Sequence, residues 1–208
     1  MSGDSPLKPK RLVVGTHNKG KVREILELLD DLPLEVVSLD AFDSIEDVEE
    51  TGDTFEANAA QKAMGFAAQT GELVMADDSG LIVDALDGRP GVFSARYGGP
   101  GLSDADRYLR LLEELADTPD EARTARFQCA IAMADGGQTP IAAAGAVEGR
   151  IARAPSGEEG FGYDPVFVPD GFDTTFAKLG LDVKQRISHR ARALAVFKEK
   201  LEAWLAQE

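Results

Sequence analysis

Three kinds of side chain here could act together on a phosphate: basic loop residues, paired acids and glycine-flanked aromatics. The first stretch is VVGTHNKGKVREIL, residues 13–26. From Gly15 it keeps the Walker A spacing G-x-x-x-x-G-K, but Val22 stands where a P-loop needs Ser or Thr to hold magnesium. The stretch joins a strand to a helix N-terminus, where unpaired N–H groups and the helix dipole favour an anion. Thr16 and Asn18 can donate to phosphate oxygens, and Lys19 and Lys21 bring positive charge. An ordinary strand-to-helix turn with solvated lysines is the plain alternative.

Any metal ligands then lie elsewhere. VEETGDTF sets Glu49 and Glu50 just before a glycine, and MADDSG sets Asp77 and Asp78 at the expected end of a buried strand. Paired carboxylates suit Mg2+, which takes one or two of them and completes its shell with substrate phosphates. Adjacent acids also repel, so one tends toward a raised pKa and can serve as a base. A solvated Asp-Asp turn is the alternative in so acidic a chain.

Lys178, Lys184, Arg186, His189, Arg190 and Arg192 form a basic cluster, against which stands a merely solvated helix face, the reading preferred for Arg192, Lys198 and Lys200. In EGFGYDPVF, Gly160 and Gly162 leave backbone accessible beside Phe161 and Tyr163, which can stack on a base or simply pack. With His17 and His189 the only histidines, a His-based metal site or a Ser-His-Asp triad has little support. Ser79 and Ser94 lack the G-x-S-x-G setting of a nucleophile elbow.

The elements that must position these groups follow from hydrophobic period. RLVVG reads as a buried strand, GKVREILELLDDL as a helix ended by Asp30-Asp31-Leu32-Pro33, and LEVVSL as a second strand. TFEANAAQKAMGFAAQTG is a helix with Phe55, Ala59, Ala63 and Phe66 on one face and Gly71 as its stop. ELVMADDSG and LIVDALDG read as two strand-like runs flanking an acidic turn, and GRPGVFSARYGGPG as loop. A helix follows with Ser103 as N-cap, then a hairpin of two long strands around Asp135-Gly136-Gly137, another loop over GEEGFGYDPVFVPDG, and a closing helix from about Ser188.

Composition bounds the rest. The 208 residues, 43% hydrophobic, can build a real core, read as one domain over residues 11–208 behind a disordered tail, residues 1–10. The single cysteine, Cys129, has no disulfide partner within the chain and fits a reducing compartment. No apolar run is long enough to span a membrane and no signal-peptide core is present, so a cytoplasmic protein without a membrane partner is expected. A net charge of −15, from 37 acidic against 22 basic residues, disfavours nucleic acid as a partner. A small anion stays possible if a local basic pocket or a bound cation offsets the field. Phosphate donors, acidic metal ligands, a basic pocket and a stacking site together point to Mg2+-dependent chemistry on a nucleoside polyphosphate.

The blocks THNKGKVREI, EETGDTF, ADDSGLIVDALDGRPGVFSARYGG, GFGYDPVFVPDG, TFAKL and ISHRARAL, in that order, resemble the motifs of the inosine triphosphate pyrophosphatase family. The resemblance runs from about Arg11 to the final helix and implies hydrolysis of ITP, dITP and XTP to the monophosphate and pyrophosphate. It also implies an α/β fold with a long, mixed, twisted sheet, flanking helices and two lobes around a central active-site cleft, and a homodimer. Mg2+, for which Mn2+ can substitute, is the implied cofactor, held by Glu49 and Asp78, with Asp78 also the proton acceptor. Substrate contacts are implied for Thr16, His17, Asn18, Lys19, Gly20, Lys21 and Ser79, and for the nucleoside at Phe161, Gly162, Tyr163, Asp164, Lys184, His189 and Arg190. His17 falls where the family often has glycine, which leaves a backbone contact there. Base choice is expected from fixed donors aimed at the 6-carbonyl, from backbone N–H groups near Asp164 and from His189 and Arg190. The rivals are a hydrolase of modified pyrimidine nucleotides and a nucleotide sensor without turnover.

Overall fold

A computed structural model describes residues 11–30, 32 and 34–207. The expected tail, and Asp31 and Pro33 of the expected first helix stop, lie outside the described residues. Six strands form one mixed sheet in the order β2-β1-β3-β4-β5-β6. β1 (Arg11–Val14) lies parallel to both β2 (Glu35–Ser38) and β3 (Leu73–Val83). β4 (Thr124–Asp135), β5 (Gln138–Ile151) and the short β6 (Phe167–Pro169) continue the sheet antiparallel. β4 and β5 form the expected hairpin, with Gly136 and Gly137 at φ of 52° and 86°, values that a two-residue hairpin turn requires and glycine meets without strain.

Side-chain alternation along the strands sorts the core. Leu12 and Val14 of β1, Leu73 and Met75 of β3, and Cys129, Ile131 and Met133 of β4 lie on one face of the sheet. That face is covered by α1 (Lys19–Leu28) and the closing helix α6 (His189–Leu205). Their neighbours Val13, Val74, Ala76, Ala130, Ala132 and Ala134 point to the other face, against α2 (Phe55–Thr70). Small alanines on β4 let the buried face of α2, with Phe55, Ala59, Ala63 and Phe66, come close to the sheet. The far ends of β3, β4 and β5, with β6, carry a separate cluster, including Leu81, Phe127, Val147 and Phe167, against α3 (Asp104–Glu114) and the short α4 (Phe176–Leu179) and α5 (Leu181–Ile187). The long strands thus run through two lobes with separate cores.

Two expectations are corrected. The acidic turn expected between ELVMADDSG and LIVDALDG does not exist: β3 is one strand of 11 residues, with Asp77 paired to Ile131 and Asp78 to Ala130 of β4. Aspartates and a glycine read locally as a turn, but a partner strand on one side supplies the ladder that overrides that preference. Asp77 and Asp78 nevertheless lie just beyond a strand end, because β1 stops pairing with β3 at Val14 opposite Met75. The loop stretches also hold structure: Gly91–Arg96 is a 3-10 segment, and Phe167–Pro169 is β6.

Candidate active site

The cleft between the lobes has a volume of about 640 Å3. Its walls come from the loop after β1, residues 47–50, α2, the middle of β3, the Gly91–Arg96 segment, residues 161–164 and the start of α6. No helix among the described residues is long and apolar enough to cross a membrane.

Because successive strand residues face opposite ways, the two central aspartates have separate surroundings. Asp77 turns toward α1 and α6. Its Oδ2 lies 3.1 Å from Lys21 Nζ and 3.2 Å from Arg190 Nη2. Burial by itself would raise this carboxyl, but Lys21, Arg190 and Lys62 outweigh it and hold the group well below the usual carboxylate range. Asp78 turns toward α2 and lines the cleft. Its Oδ2 accepts from Asn58 Nδ2 at 3.1 Å, its Oδ1 accepts from the Ser79 N–H at 3.0 Å, and Lys62 Nζ lies 3.5 Å from Oδ1. Burial, with the charge of Glu50, pushes the Asp78 carboxyl up against the pull of Lys62 and Lys21. One acid is therefore held as an anion by the cations behind it, and the other faces the cleft with its carboxyl raised by burial. Burial, rather than the repulsion expected between the two neighbours, is the largest cause of the rise.

Residues 47–50 border the same cleft. Glu50 is tied to Lys62 by a short hydrogen bond and lies 3.6 Å from Arg96 Nη1. Glu49 is exposed on the rim and makes no hydrogen bond or ion pair among the described residues. Mg2+ takes one or two carboxylates and completes its shell with phosphate oxygens and water. Glu49 and Asp78, two carboxylates on one cleft, fit that demand, although no group of three acids, histidines or cysteines able to hold a metal forms among the described residues.

The loop after β1 is held by its own polar groups. Asn18 caps α1, its Oδ1 accepting from the N–H groups of Gly20 and Lys21 at 3.0 and 3.1 Å, while Thr16 Oγ1 accepts from the Asn18 N–H at 3.2 Å. Thr16, His17, Asn18 and Lys21 line the cleft. Lys19 does not; it lines a neighbouring groove with Val22, Arg23 and Leu26. Gly20 lies behind the Phe161 ring, close enough that an added Cβ would meet the ring at 3.0 Å. His17 Nε2 lies 3.4 Å from Asp47 Oδ1, so its side chain does have a partner.

At the other end, a buried ionic network organises the aromatic loop. Lys184 Nζ donates to Asp164 Oδ2 at 2.6 Å and lies 2.9 Å from Glu24 Oε1. It also sits 4.3 Å from the centre of the Phe161 ring. Arg190 bridges Glu24 and Asp77 and donates to Ser79 Oγ at 3.0 Å. The Phe161 N–H donates to Asp164 Oδ2 at 2.9 Å, and the Gly162 N–H to Asp104 Oδ2 at 2.8 Å. These two N–H groups near Asp164, the place from which backbone donors to a base were expected, are thus already engaged. Tyr163 is buried in the second lobe's cluster, and its hydroxyl donates to the Ser94 carbonyl at 2.9 Å. His189 stacks on Phe127 with ring centres 4.8 Å apart, and its Nδ1 is buried without a hydrogen-bond partner among the described residues. Burial together with Arg190 and Lys184 holds its pKa well below that of free histidine, so the ring is neutral. Elsewhere in the expected basic cluster, Arg186 donates to the Asp182 carbonyl of its own helix and Arg192 to the Ala146 carbonyl.

Glu24, Lys62, Asn58 and Asp104 were not singled out by the sequence. The available signal was polarity beside an apolar stripe: Glu24 precedes Ile25, and Asn58 and Lys62 stand four apart next to Ala59 and Ala63 on α2.

A mixed sheet whose parallel part ends at a cleft of buried acid–base pairs defines an α/β protein built to hold a small, highly charged ligand. The model of the Ham1 family matches residues 12–200, and the chain belongs to that family. It is 48% identical over 201 residues to a dITP/XTP pyrophosphatase of Bacillus cereus, covering 96% of this chain and 98% of the relative. A dITP/XTP pyrophosphatase of Geobacter sulfurreducens is 50% identical over 191 residues, with 92% and 96% covered. A solved HAM1 protein from Coxiella burnetii superposes with a TM-score of 0.84 at 42% identity, covering 96% of this chain and all (100%) of that one.

Proposed function

We propose that the chain hydrolyses non-canonical purine nucleoside triphosphates, ITP, dITP and XTP, to the monophosphate and pyrophosphate. The observation that carries this reading is the asymmetry of the aspartate pair. Asp78 is a carboxyl pushed up by burial and facing the cleft, while Asp77 neutralises the cations behind it. Family membership and the two dITP/XTP pyrophosphatases among the relatives support the substrate class.

Water attacks the α-phosphorus, Asp78 accepts its proton, and the bond to the β-phosphate oxygen breaks to release pyrophosphate. Lys21 and Lys62, on either side of the β3 aspartates, meet the charge that builds on the leaving group. Glu49 and Asp78 are the residues that would hold Mg2+, which when bound neutralises phosphate charge and orients the water. The base lies toward Phe161, with Lys184, His189 and Arg190 behind it, and its 6-carbonyl is read from the His189–Arg190 side. The remaining features, a homodimer and a cytoplasmic location, rest on the resemblance and on composition.

Incubation with ITP, dTTP, GTP and ATP in the presence of Mg2+, with the products identified, tests this. IMP and pyrophosphate from ITP, with little turnover of the others, are expected. Preference for a modified pyrimidine nucleotide, or binding without turnover, would replace the reading with one of its rivals. IDP and phosphate as first products would return the GTHNKGK loop to P-loop-like chemistry.

A further inference from the structure

The cations of the cleft are not equivalent. Lys21, Lys62, Lys184 and Arg190 are all nearly enclosed, with side chains 12%, 11%, 4% and 2% exposed, and each is within 3.2 Å of a carboxylate oxygen. Their charge is already balanced from behind. Arg96 is different. It lines the same cleft, its side chain is 48% exposed, and no hydrogen bond fixes it among the described residues. Its only ion partner there is Glu50, at 3.6 Å, a carboxylate that Lys62 already holds.

Its mounting is held by hydrogen bonds, whereas its tip has none among the described residues. Arg96 ends the Gly91–Arg96 segment, which Ser94 ties down: Ser94 Oγ donates to the Gly91 carbonyl at 2.7 Å and accepts from the Leu81 N–H at 2.9 Å. The guanidinium rests over the Phe93 ring, 5.1 Å from its centre, a contact that guides a cation without holding it in one geometry. From there it faces Glu50, which leads through Lys62 to Asp78.

We propose that Arg96 is a catalytic residue of this site: on substrate binding it leaves Glu50 and closes on the triphosphate chain as a fork-shaped donor. Resting on the pyrophosphatase reading, this follows from charge. A nucleoside triphosphate carries several negative charges, four of the five cleft cations are already committed, and a planar guanidinium pairs with phosphate oxygens two at a time. Substrate charge would then replace Glu50 as the partner of Arg96, leaving Glu50 to Lys62.

The test is calorimetric binding of inorganic tripolyphosphate with Mg2+, with IMP as the control ligand, to wild type, Arg96→Ala and Arg96→Lys. Arg96→Ala is expected to weaken tripolyphosphate binding roughly 10- to 100-fold, the range of one lost charge-assisted hydrogen-bond pair, and to leave IMP binding and Tm unchanged. Arg96→Lys should recover part of the loss, since it restores charge but not the fork. kcat/KM for ITP should fall in the same order. Unchanged tripolyphosphate binding in Arg96→Ala overturns the proposal. So does an equal loss for both ligands or a lowered Tm, which would make Arg96 a brace for residues 47–50. Should Arg96→Ala not fold, Arg96→Gln decides by the same criteria. Wild type that binds tripolyphosphate through Arg96 yet leaves ITP intact would refute the pyrophosphatase reading and not the role of Arg96 in binding the chain.

Discussion

At the scale of single residues, chemistry is assigned by what surrounds a group more than by its type. Asp77 and Asp78 are chemically identical and adjacent, yet one is pulled well below the carboxylate range and the other pushed up from its ordinary value. Asp78→Asn keeps size and the acceptor for Asn58 but removes the base. Turnover of ITP should fall at least ~10²–10⁴-fold with Tm within a few degrees of wild type. Retention of a tenth of the activity in steady-state assays would take Asp78 out of the mechanism. His189 yields a pH prediction. Its folded pKa lies well below the free value, so below about pH 6.5 the unfolded chain binds a proton that the folded one refuses. Stability contributed by keeping the ring neutral is intact above that pH and lost as pH falls toward the folded pKa. Between about pH 7.5 and 5.5, the unfolding free energy of wild type should drop about 1.4 kcal/mol more than that of His189→Gln in urea titrations. Equal drops would mean that the ring is free to protonate in place.

Elements matter here through close approaches that only a few residue types allow. β3 passes beneath the Gly91–Arg96 segment at Gly80, where an added Cβ would meet the Gly91 carbonyl oxygen and Ser94 Oγ, both at 2.5 Å. Gly80 is thus the place where the strand with the aspartates meets the segment that carries Arg96 and the acceptor for Tyr163. Gly80→Ala should cost about 1–3 kcal/mol through overpacking. For a chain of this size that is a fall in Tm of roughly 2–4 °C per kcal/mol. Activity should fall further than stability accounts for, because the segment shifts relative to β3. A Gly80→Ala protein with wild-type Tm in calorimetry would show that the segment yields freely. Asp104 makes a second such link, joining the first turn of α3 to the Gly162 N–H.

At the scale of the whole molecule, two lobes with separate cores share three long strands, and the cleft lies where the cores are interrupted. The net charge of −15 makes that cleft a poor anion site unless positive charge is concentrated within it, which the proposed metal at Glu49 and Asp78 would supply beside the cleft cations. Treatment with EDTA should silence hydrolysis, and Mg2+ or Mn2+ should restore it, since the offered ligands are all oxygen. Full activity after exhaustive chelation would leave the cations alone to handle the phosphate charge.

The sequence by itself determined the opening strand–helix–strand order, α2, the alternation that sorts β1 and β4 between two faces, the Ser103 cap, the glycine turn of the long hairpin and the closing helix. These rest on contacts within a few residues, so local pattern carries them. It also held the family motifs, and with them the set of candidate residues. Only the tertiary structure decided that Asp77 and Asp78 face opposite sides of one continuous strand, because a turn and a strand of the same acidic residues differ only by the partner strand alongside. The tertiary structure likewise paired Glu24 with Arg190, which is 166 positions away, and set Lys62 between Glu50 and Asp78. A buried charge is strongly unfavourable without its partner. Which acid meets which base is therefore settled by how the closing helix packs on the sheet, and no local stretch of sequence contains that information.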